Sequence, residues 1–193
     1  MRRHRLHATI VSIATRFAGL AMAMALASGC AAYKLDPPTG FAQVGSDASG
    51  VRMKGSDDVG LNLRVYDNVE GGTLAFWSED LVRKLGKRGY RLEKQTPVVS
   101  DNGVAGTRFD FAYDPPGADA PPKFFTALLF VSDKYKVVVQ VAGDAEHHAR
   151  LAAQIDQIAA QTTVRGCRAG KRTCKGPQPS PLTELAIARQ NAG

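Results

Sequence analysis

The sequence lacks the short motifs that identify many enzymes. It contains no Gly-x-Ser-x-Gly, no His-Glu-x-x-His and no P-loop, which excludes the usual signatures of a serine hydrolase, a zinc peptidase and a nucleotide-binding enzyme. Two acidic pairs, Asp57-Asp58 and Glu79-Asp80, have no partner pattern, and a loop and a helix surface explain them. We therefore predict no catalytic residue, no metal site and no cofactor, and we expect that the chain is not an enzyme.

Cysteine is scarce: Cys30, Cys167 and Cys174 are the three in 193 residues. A structural zinc site needs four ligands, and Cys-x6-Cys is not a usual half-site. In an oxidising compartment Cys167 and Cys174 can form a disulfide, which leaves Cys30 unpaired. An odd thiol in an exported protein needs an explanation.

The N-terminus has no apolar run long enough to cross a membrane. Residues 1–16 hold four arginines and no acid, and the 11 residues 17–27, FAGLAMAMALA, carry no charge. A helix rises about 1.5 Å per residue, so this run falls short of a hydrocarbon core of about 30 Å. A short apolar run between arginines and small residues is typical of a cleaved export signal. A buried N-terminal helix is the alternative, and alanines would crowd every face of it.

The stretch LASGC, residues 26–30, resembles the lipobox of bacterial lipoproteins. The resemblance implies removal of residues 1–29 and palmitate-type lipidation of Cys30, which would explain the odd thiol. The family favours leucine three places before the cysteine, where this chain has Ala27. Because Ala31 rather than Asp follows the cysteine, the resemblance implies the outer membrane, with the domain facing the periplasm. Cleavage after Ala27, which would give a soluble periplasmic or secreted protein, is the alternative.

The net charge of +7, from 25 basic and 18 acidic residues, comes from the ends of the chain. Residues 1–29 contain 4 of the basic residues, and residues 36–164 contain 14 basic and 17 acidic residues, a charge of −3. The folded body is therefore mildly acidic. This removes the main support for a nucleic-acid partner, and we predict none.

Hydropathy patterns predict an α+β domain over residues 40–164. Alternating runs predict strands, of which 123–132 is apolar on both faces and therefore interior, and helical spacing predicts two helices. The strands are expected at 40–44, 50–55, 59–67, 90–100, 104–114, 123–132 and 135–143, and the helices at 73–89 and 144–161. Consecutive strands with segregated helices favour a twisted antiparallel sheet packed with two main helices.

The same region is similar to the PsbP-like fold. The resembling stretches are Pro38-Thr39-Gly40-Phe41, GTRFDFAY at 106–113, FVSDKYKVVVQVAG at 130–143 and the last helix. This group contains the photosystem II extrinsic subunit, a Ran-binding import factor and small bacterial lipoproteins of the DcrB type. The resemblance implies a binding or stabilising subunit, and it supplies no catalytic residue.

Two sets of side chains could serve a ligand. Trp77 could stack on one, but its helical spacing with three leucines favours the core. His147 and His148 point about 100° apart on a helix, so they cannot share a metal ion. We expect them to be exposed residues of the first turn. A pocket in which His147, Asp144 and another acid converge would instead favour an enzyme.

The C-terminal region is the most informative segment. Residues 165–176 contain no acid and five cations, Arg165, Arg168, Lys171, Arg172 and Lys175. A Cys167–Cys174 bridge would make this segment a rigid basic loop for an anionic partner, and the alternative is a solvated end of the domain. Residues 30–39 are expected to be a tether, and residues 177–193 a Pro-rich flexible tail.

Together these features predict an outer-membrane lipoprotein, anchored through its lipid on the periplasmic face. Its expected role is that of a non-catalytic binding or stabilising subunit whose partner is an envelope protein or an anionic envelope surface. A small secreted or lipid-anchored hydrolase with an unrecognised site is the alternative.

Overall fold

The computed structural model describes residues 32–69, 71–117 and 119–166. Within these ranges the chain forms nine strands, two α-helices and one 3-10 turn. The strands are β1 (Tyr33–Lys34), β2 (Phe41–Asp47), β3 (Gly50–Gly55), β4 (Gly60–Asp67), β5 (Arg91–Val99), β6 (Ala105–Tyr113), β7 (Lys123–Val131), β8 (Tyr135–Asp144) and β9 (Thr163–Val164). The helices are α1 (Leu74–Gly86) and α2 (His148–Gln161), and Ala145–His147 form the 3-10 turn.

Seven strands form one twisted antiparallel sheet in the order β2-β3-β4-β8-β7-β6-β5. Most neighbours are consecutive hairpins, and the pairing of β4 with β8 joins the N-terminal hairpins to the C-terminal ones. β7 is interior and buried along most of its length, as its two apolar faces predicted. The α+β class and the antiparallel sheet with two helices are thus confirmed.

The two helices cover opposite faces of the sheet, because β7 and β8 are apolar on both sides. On one face the apolar side of α2 (Leu151, Ile155 and Ile158) is buried against the larger core, which includes Leu63, Leu128 and Val139. On the other face α1 packs over a smaller core that includes Phe109, Leu129 and Val138. Alternate residues of each central strand therefore enter different cores.

Helix α1 begins at Leu74, directly after its N-cap Thr73, at the start of the predicted range. The Thr73 hydroxyl accepts a hydrogen bond from the Phe76 backbone N–H at 3.2 Å, which satisfies one of the free donors of the first turn. The helix ends at Gly86 with Arg83 and Lys84 in its last turn. It is therefore shorter at its C-terminal end than the predicted range of 73–89.

The second predicted helix, 144–161, begins later than expected. Asp144 still pairs with Lys123 in the β7–β8 ladder, and its carboxylate accepts a hydrogen bond from the Lys123 ammonium. The chain then makes the 3-10 turn before α2 starts at His148. Strand pairing therefore holds the segment that a helical pattern alone assigned to the helix.

Gly106 of β6 is required by the packing of Phe130. A Cβ built on Gly106 would lie 2.4 Å from Phe130 Cδ1, and the Phe130 ring is fully buried. A Cβ built on Gly60 of β4 would have no heavy atom of the described residues within 4 Å. The two glycines therefore form a matched pair for testing the core.

We predict that Gly106→Ala lowers the free energy of unfolding by about 1–3 kcal/mol, since the buried ring cannot move without strain. Gly60→Ala should leave stability unchanged or raise it slightly, because alanine loses less backbone entropy on folding. Urea denaturation of the full-length chain, followed by circular dichroism, measures both. Equal destabilisation by the two substitutions would contradict this account of the β6–β7 packing.

Candidate functional site

Most residues predicted to act in binding lie outside the described ranges. These are Cys30, Cys167, Cys174, Arg168, Lys171, Arg172 and Lys175, and their roles stay predictions. Arg165 is described and its side chain is exposed. It directly follows β9, so the structure locates the start of the basic segment.

The two ends of the described chain meet at one edge of the domain, here called the terminal edge (residues 32–34 and 163–166). Tyr33 pairs with Val164 in the antiparallel β1–β9 ladder. The Arg165 backbone N–H donates to the Ala32 carbonyl at 2.9 Å. Part of the segment expected to act as a tether, residues 30–39, is therefore packed on the domain.

The turn Asp101-Asn102-Gly103 between β5 and β6 holds this edge in place. The Asn102 side chain donates to the Val164 carbonyl at 2.6 Å and accepts from the Val164 backbone N–H at 3.0 Å. The Asp101 backbone N–H donates to the Thr162 carbonyl at 2.9 Å. The side-chain amide of Asn102 thus makes the two hydrogen bonds to Val164 that the backbone of a neighbouring strand would make. The sequence marks these residues as a turn but contains no signal of this second role.

The chain leaves the described region beside the β7–β8 turn. The Gly166 carbonyl accepts from the Lys134 backbone N–H at 3.2 Å. Gly166 has φ of +90°, and a Cβ there would lie 2.5 Å from Tyr135 Cδ2, so only glycine fits. The basic segment therefore starts from a fixed point at the β7–β8 turn.

A second feature is an open groove between α1 and strands β4, β7 and β8, here called the Trp77 groove. Its volume is about 310 Å³, within the range of small binding sites. Its lining contains Tyr66, Trp77, Asp80, Leu81, Lys84, Leu85, Arg88, Leu129, Lys136, Val138 and Gln140. Apolar residues of both α1 and the sheet thus form its base, and charged residues lie among them.

Trp77 is half-buried and held on several sides. Its indole Nε1 donates to Asn68 Oδ1 at 2.9 Å, and the Lys136 ammonium lies 3.4 Å from the ring centroid. A Cβ on Gly72 would come within 2.5 Å of the indole nitrogen. Trp77 also packs with the smaller core. The prediction of a core residue is therefore correct, and the same side chain also lines the groove.

Asn68 is the buried residue that joins the parts around Trp77. Its side-chain amide donates to the Gly72 carbonyl at 3.0 Å and to the Ser132 carbonyl at 3.1 Å. Its backbone N–H donates to the Lys134 carbonyl at 2.7 Å. One asparagine therefore links the β4–α1 loop, the β7–β8 turn and the indole. Its sequence context, Asp67-Asn68 after a strand, resembles an ordinary loop and does not reveal this role.

The groove carries three cations and one acid, Lys84, Arg88, Lys136 and Asp80. Asp80 lies 2.6 Å from Arg83 Nη2 and 2.7 Å from Lys84 Nζ. Burial opposes ionisation of Asp80, but the hydrogen bonds and charges of Lys84 and Arg83 outweigh it and hold the pKa of the carboxyl below its usual value. The single acid of the groove is thus ionised and already neutralised by its neighbours.

His148 is not the exposed first-turn residue that we predicted. Its ring stacks on Phe124 with centroids 4.9 Å apart, and its Nε2 lies 3.3 Å from Asp110 Oδ1. His147 is also largely covered and lies 3.5 Å from Glu146. The two histidines are half-buried because the 3-10 turn brings the start of α2 down onto the sheet.

Asp110 belongs to a buried polar cluster beneath α2. Arg108 Nε donates to both Asp110 oxygens, at 2.9 and 3.0 Å, and Thr126 Oγ1 donates to Asp110 at 2.7 Å. Arg108 Nη1 also donates to Asp156 at 2.7 Å. Burial opposes the charge of Arg108, but these carboxylates outweigh it and raise its pKa further. The cluster joins β6 to α2, and its hydrogen bonds are made within the protein.

The residues named as a sign of an enzyme, His147 and Asp144, make separate contacts in the described ranges. Asp144 pairs with Lys123, His147 lies beside Glu146, and neither lines the Trp77 groove. Over residues 32–69, 71–117 and 119–166, no group of three or more His, Cys, Asp or Glu side chains is placed to hold a metal ion. In the same ranges neither helix is long and apolar enough to span a membrane.

The fold is that of an antiparallel sheet with one helix on each face, and solved structures of this kind are similar to the chain. They include PsbP of Synechocystis sp. PCC 6803 (TM-score 0.48, 11% identity, covering 75% of this chain and 99% of that one). LpqN of Mycobacterium tuberculosis, involved in cell envelope biogenesis, has a TM-score of 0.48 and 12% identity, covering 69% of this chain and 83% of that one. The Saccharomyces cerevisiae Ran-binding protein Mog1p has a TM-score of 0.48 and 13% identity, covering 69% of this chain and 90% of that one. These likenesses concern the backbone fold. No family model and no curated protein matches the sequence.

We predict that Arg108→Met lowers the free energy of unfolding by about 3 kcal/mol, because it leaves the Asp110 carboxylate buried without its cation. Adding Asp110→Asn to Arg108→Met should recover part of the loss. The matched control is Arg150→Met, which removes the exposed pair of Arg150 with Asp57 and should change little. Thermal and urea denaturation measure all three. A small effect of Arg108→Met would show that the cluster does not hold α2 on the sheet.

Proposed function

We propose that the chain is a lipid-anchored protein of the bacterial envelope whose domain binds another envelope component without catalysing a reaction. The observation that carries the proposal is the terminal edge. Ala32 lies two residues after Cys30 and accepts a hydrogen bond from Arg165. Because a residue spans at most about 3.6 Å, a lipid on Cys30 would be attached within about 7 Å of this edge.

The same edge starts the basic segment. Arg165 stands opposite Ala32, and four more cations follow by residue 175. Lipidation of Cys30 would hold these cations against the headgroups, where each basic residue contributes about 1 kcal/mol of attraction to an anionic surface. Acyl chains and a polybasic segment together give stable membrane attachment. We therefore assign the anionic partner of the segment to phospholipid headgroups beside the anchor.

With its terminal edge at the membrane, the rest of the domain faces the periplasm. The described residues offer one groove with an apolar base and cationic rim for a partner, the Trp77 groove. The described lining of this groove contains no serine, threonine, cysteine or histidine, and its one acid, Asp80, is paired with Arg83 and Lys84. This supports a non-catalytic role over the alternative of a hydrolase.

We predict that Cys30→Ala abolishes incorporation of radiolabelled palmitate and moves the protein from the membrane fraction to the soluble fraction. The matched control is the double change Cys167→Ala/Cys174→Ala, which keeps Cys30 and should keep both the label and the membrane location. Fractionation of cells that express the full chain measures both. If the Cys30→Ala protein stays in the membrane fraction unchanged, the anchor is wrong.

We predict that the basic segment binds anionic vesicles without the lipid. The Cys30→Ala chain should bind phosphatidylglycerol vesicles, and the attraction should weaken as salt rises, because the Debye length is about 8 Å at physiological ionic strength. Neutralising Arg168, Lys171 and Arg172 to Gln should weaken binding about tenfold or more.

The matched control neutralises three exposed cations elsewhere, Arg52, Lys87 and Lys94, and removes the same total charge. Vesicle co-sedimentation compares the two triple variants. Equal loss in both would mean that net charge alone governs the binding. Unchanged binding after neutralisation of the basic segment would make that segment only the solvated end of the domain.

A further inference from the structure

We propose that the Trp77 groove is a docking site for an acidic segment of a partner protein that inserts one large apolar side chain. The proposal does not depend on lipidation of Cys30. It rests on the base of the groove, on its charged rim and on the way both are held in place.

The base of the groove accepts an apolar group. Leu129 and Val138 are nearly fully buried in the smaller core, so they form a rigid floor from the sheet. Leu81 and Leu85 of α1 are half-buried and complete the wall. A volume of about 310 Å³ has room for one large side chain and little more. The floor therefore favours a single anchor over a long apolar surface.

The rim of the groove selects acidic neighbours for that anchor. Lys84 is in the last turn of α1 and Arg88 follows two residues after the helix ends, and Lys136 lines the same groove from β8. Asp80 is already held by Arg83 and Lys84. Within the described ranges Arg88 makes no ion pair. Carboxylates on either side of an apolar residue would therefore meet opposite charge.

The groove is preorganised by the Asn68 network. Asn68 fixes the indole of Trp77, and Lys136 lies on the indole face. Tyr66 stands directly across from Lys136 in the β4–β8 ladder and is 51% exposed. Side chains that are ordered before binding lose little entropy when a partner arrives. Tyr66 adds an exposed aromatic surface with a hydroxyl at the entrance.

The surface next to the groove extends in a way that suits a peptide. Helix α1 packs mainly over β5, β6 and β7, and β4 and β3 lie further along the sheet. Asn62 lies on this open face and donates to Gln140 of the groove at 3.2 Å. Its Oδ1 atom is buried and has no hydrogen-bond partner in the described residues. Arg64, which is paired with Asp47, and the exposed Arg52 stand on the same face as Asn62.

The probe is an end-blocked peptide, Asp-Glu-Ser-Phe-Ser-Glu-Asp, titrated into the purified full-length chain. Trp77 is the sole tryptophan, so its emission reports on the groove directly, and calorimetry provides a second readout. We expect saturable binding that changes the Trp77 emission and weakens as salt is added. Replacing Phe by Ser, or the acids by Asn and Gln, should weaken binding about tenfold each.

On the protein, the variant is Lys84→Gln/Arg88→Gln, which should weaken binding of the Phe peptide about tenfold. The matched control is Lys87→Gln/Lys94→Gln, which removes the same charge from exposed positions outside the groove lining and should bind as the unmodified chain does. Circular dichroism verifies that both are folded. If the Lys84→Gln/Arg88→Gln variant is unfolded, the peptides without acids or without Phe, titrated into the unmodified chain, still test whether charge and the apolar anchor contribute to binding.

Four outcomes would overturn the proposal. They are no saturable binding by either readout, the same affinity for the Phe and Ser peptides, equal weakening in the two charge variants, and perturbation of Trp77 by phosphatidylglycerol vesicles but not by the peptide. The last result would reassign the groove to lipid. Since purified protein is used with or without its lipid, a failure of the Cys30 anchor leaves this test unaffected.

Discussion

The pairing of β4 with β8 is the contact on which the other parts of the domain depend. It runs without a break from Gly60 opposite Ala142 to Asp67 opposite Tyr135, and it joins segments that are far apart in sequence. Without it the N-terminal hairpins would have no neighbour, and the larger core would lose Leu61 and Leu63 as partners of Val139 and Val141. The same ladder places Tyr66 opposite Lys136 at the mouth of the Trp77 groove. A single long-range ladder therefore determines both the core and the surface beside it.

The domain uses charge in two different ways on the two faces of its sheet. Under α2, Arg108 and Asp110 are buried and their hydrogen bonds are made internally, which gives the helix one position on the sheet. Beside α1, cations lie at the surface around an apolar floor, and the one acid among them is neutralised by its neighbours. Removing one partner of a buried ion pair leaves an uncompensated charge and is costly, whereas exposed charges contribute to the choice of a binding partner. The net charge of residues 36–164 is mildly negative and does not reveal the cations around the groove, because they occupy only a small part of the surface.

Most of the fold could be predicted from the sequence because its signals are local. The alternation of Leu61, Leu63 and Val65 predicts β4. The helical spacing of apolar residues predicts α2, and Thr73 marks the start of α1. Two of the misplaced features depend on distant partners. Asp144 stays in a strand because Lys123 lies opposite it. His148 is half-buried because it stacks on Phe124 and lies within 3.3 Å of Asp110. The β1–β9 pair is two residues long, too short for any period to appear in the sequence.

The candidate site shows the same limit more strongly. Trp77 could be identified as a core residue from its spacing, but its contact with Asn68 and Lys136 joins three segments that no sequence pattern connects. The basic segment, by contrast, is visible in composition alone, and only its starting point required a structure.

The antiparallel β1–β9 pair also has a mechanical meaning. The chain enters and leaves the domain from the same end of this pair, so a force that pulls residues 32 and 165 apart acts on its hydrogen bonds one after another. The seven-stranded sheet is not in the direct path of that load. The two-residue pair and the two Asn102 hydrogen bonds to Val164 therefore stand in the path of such a force before the seven-stranded sheet does.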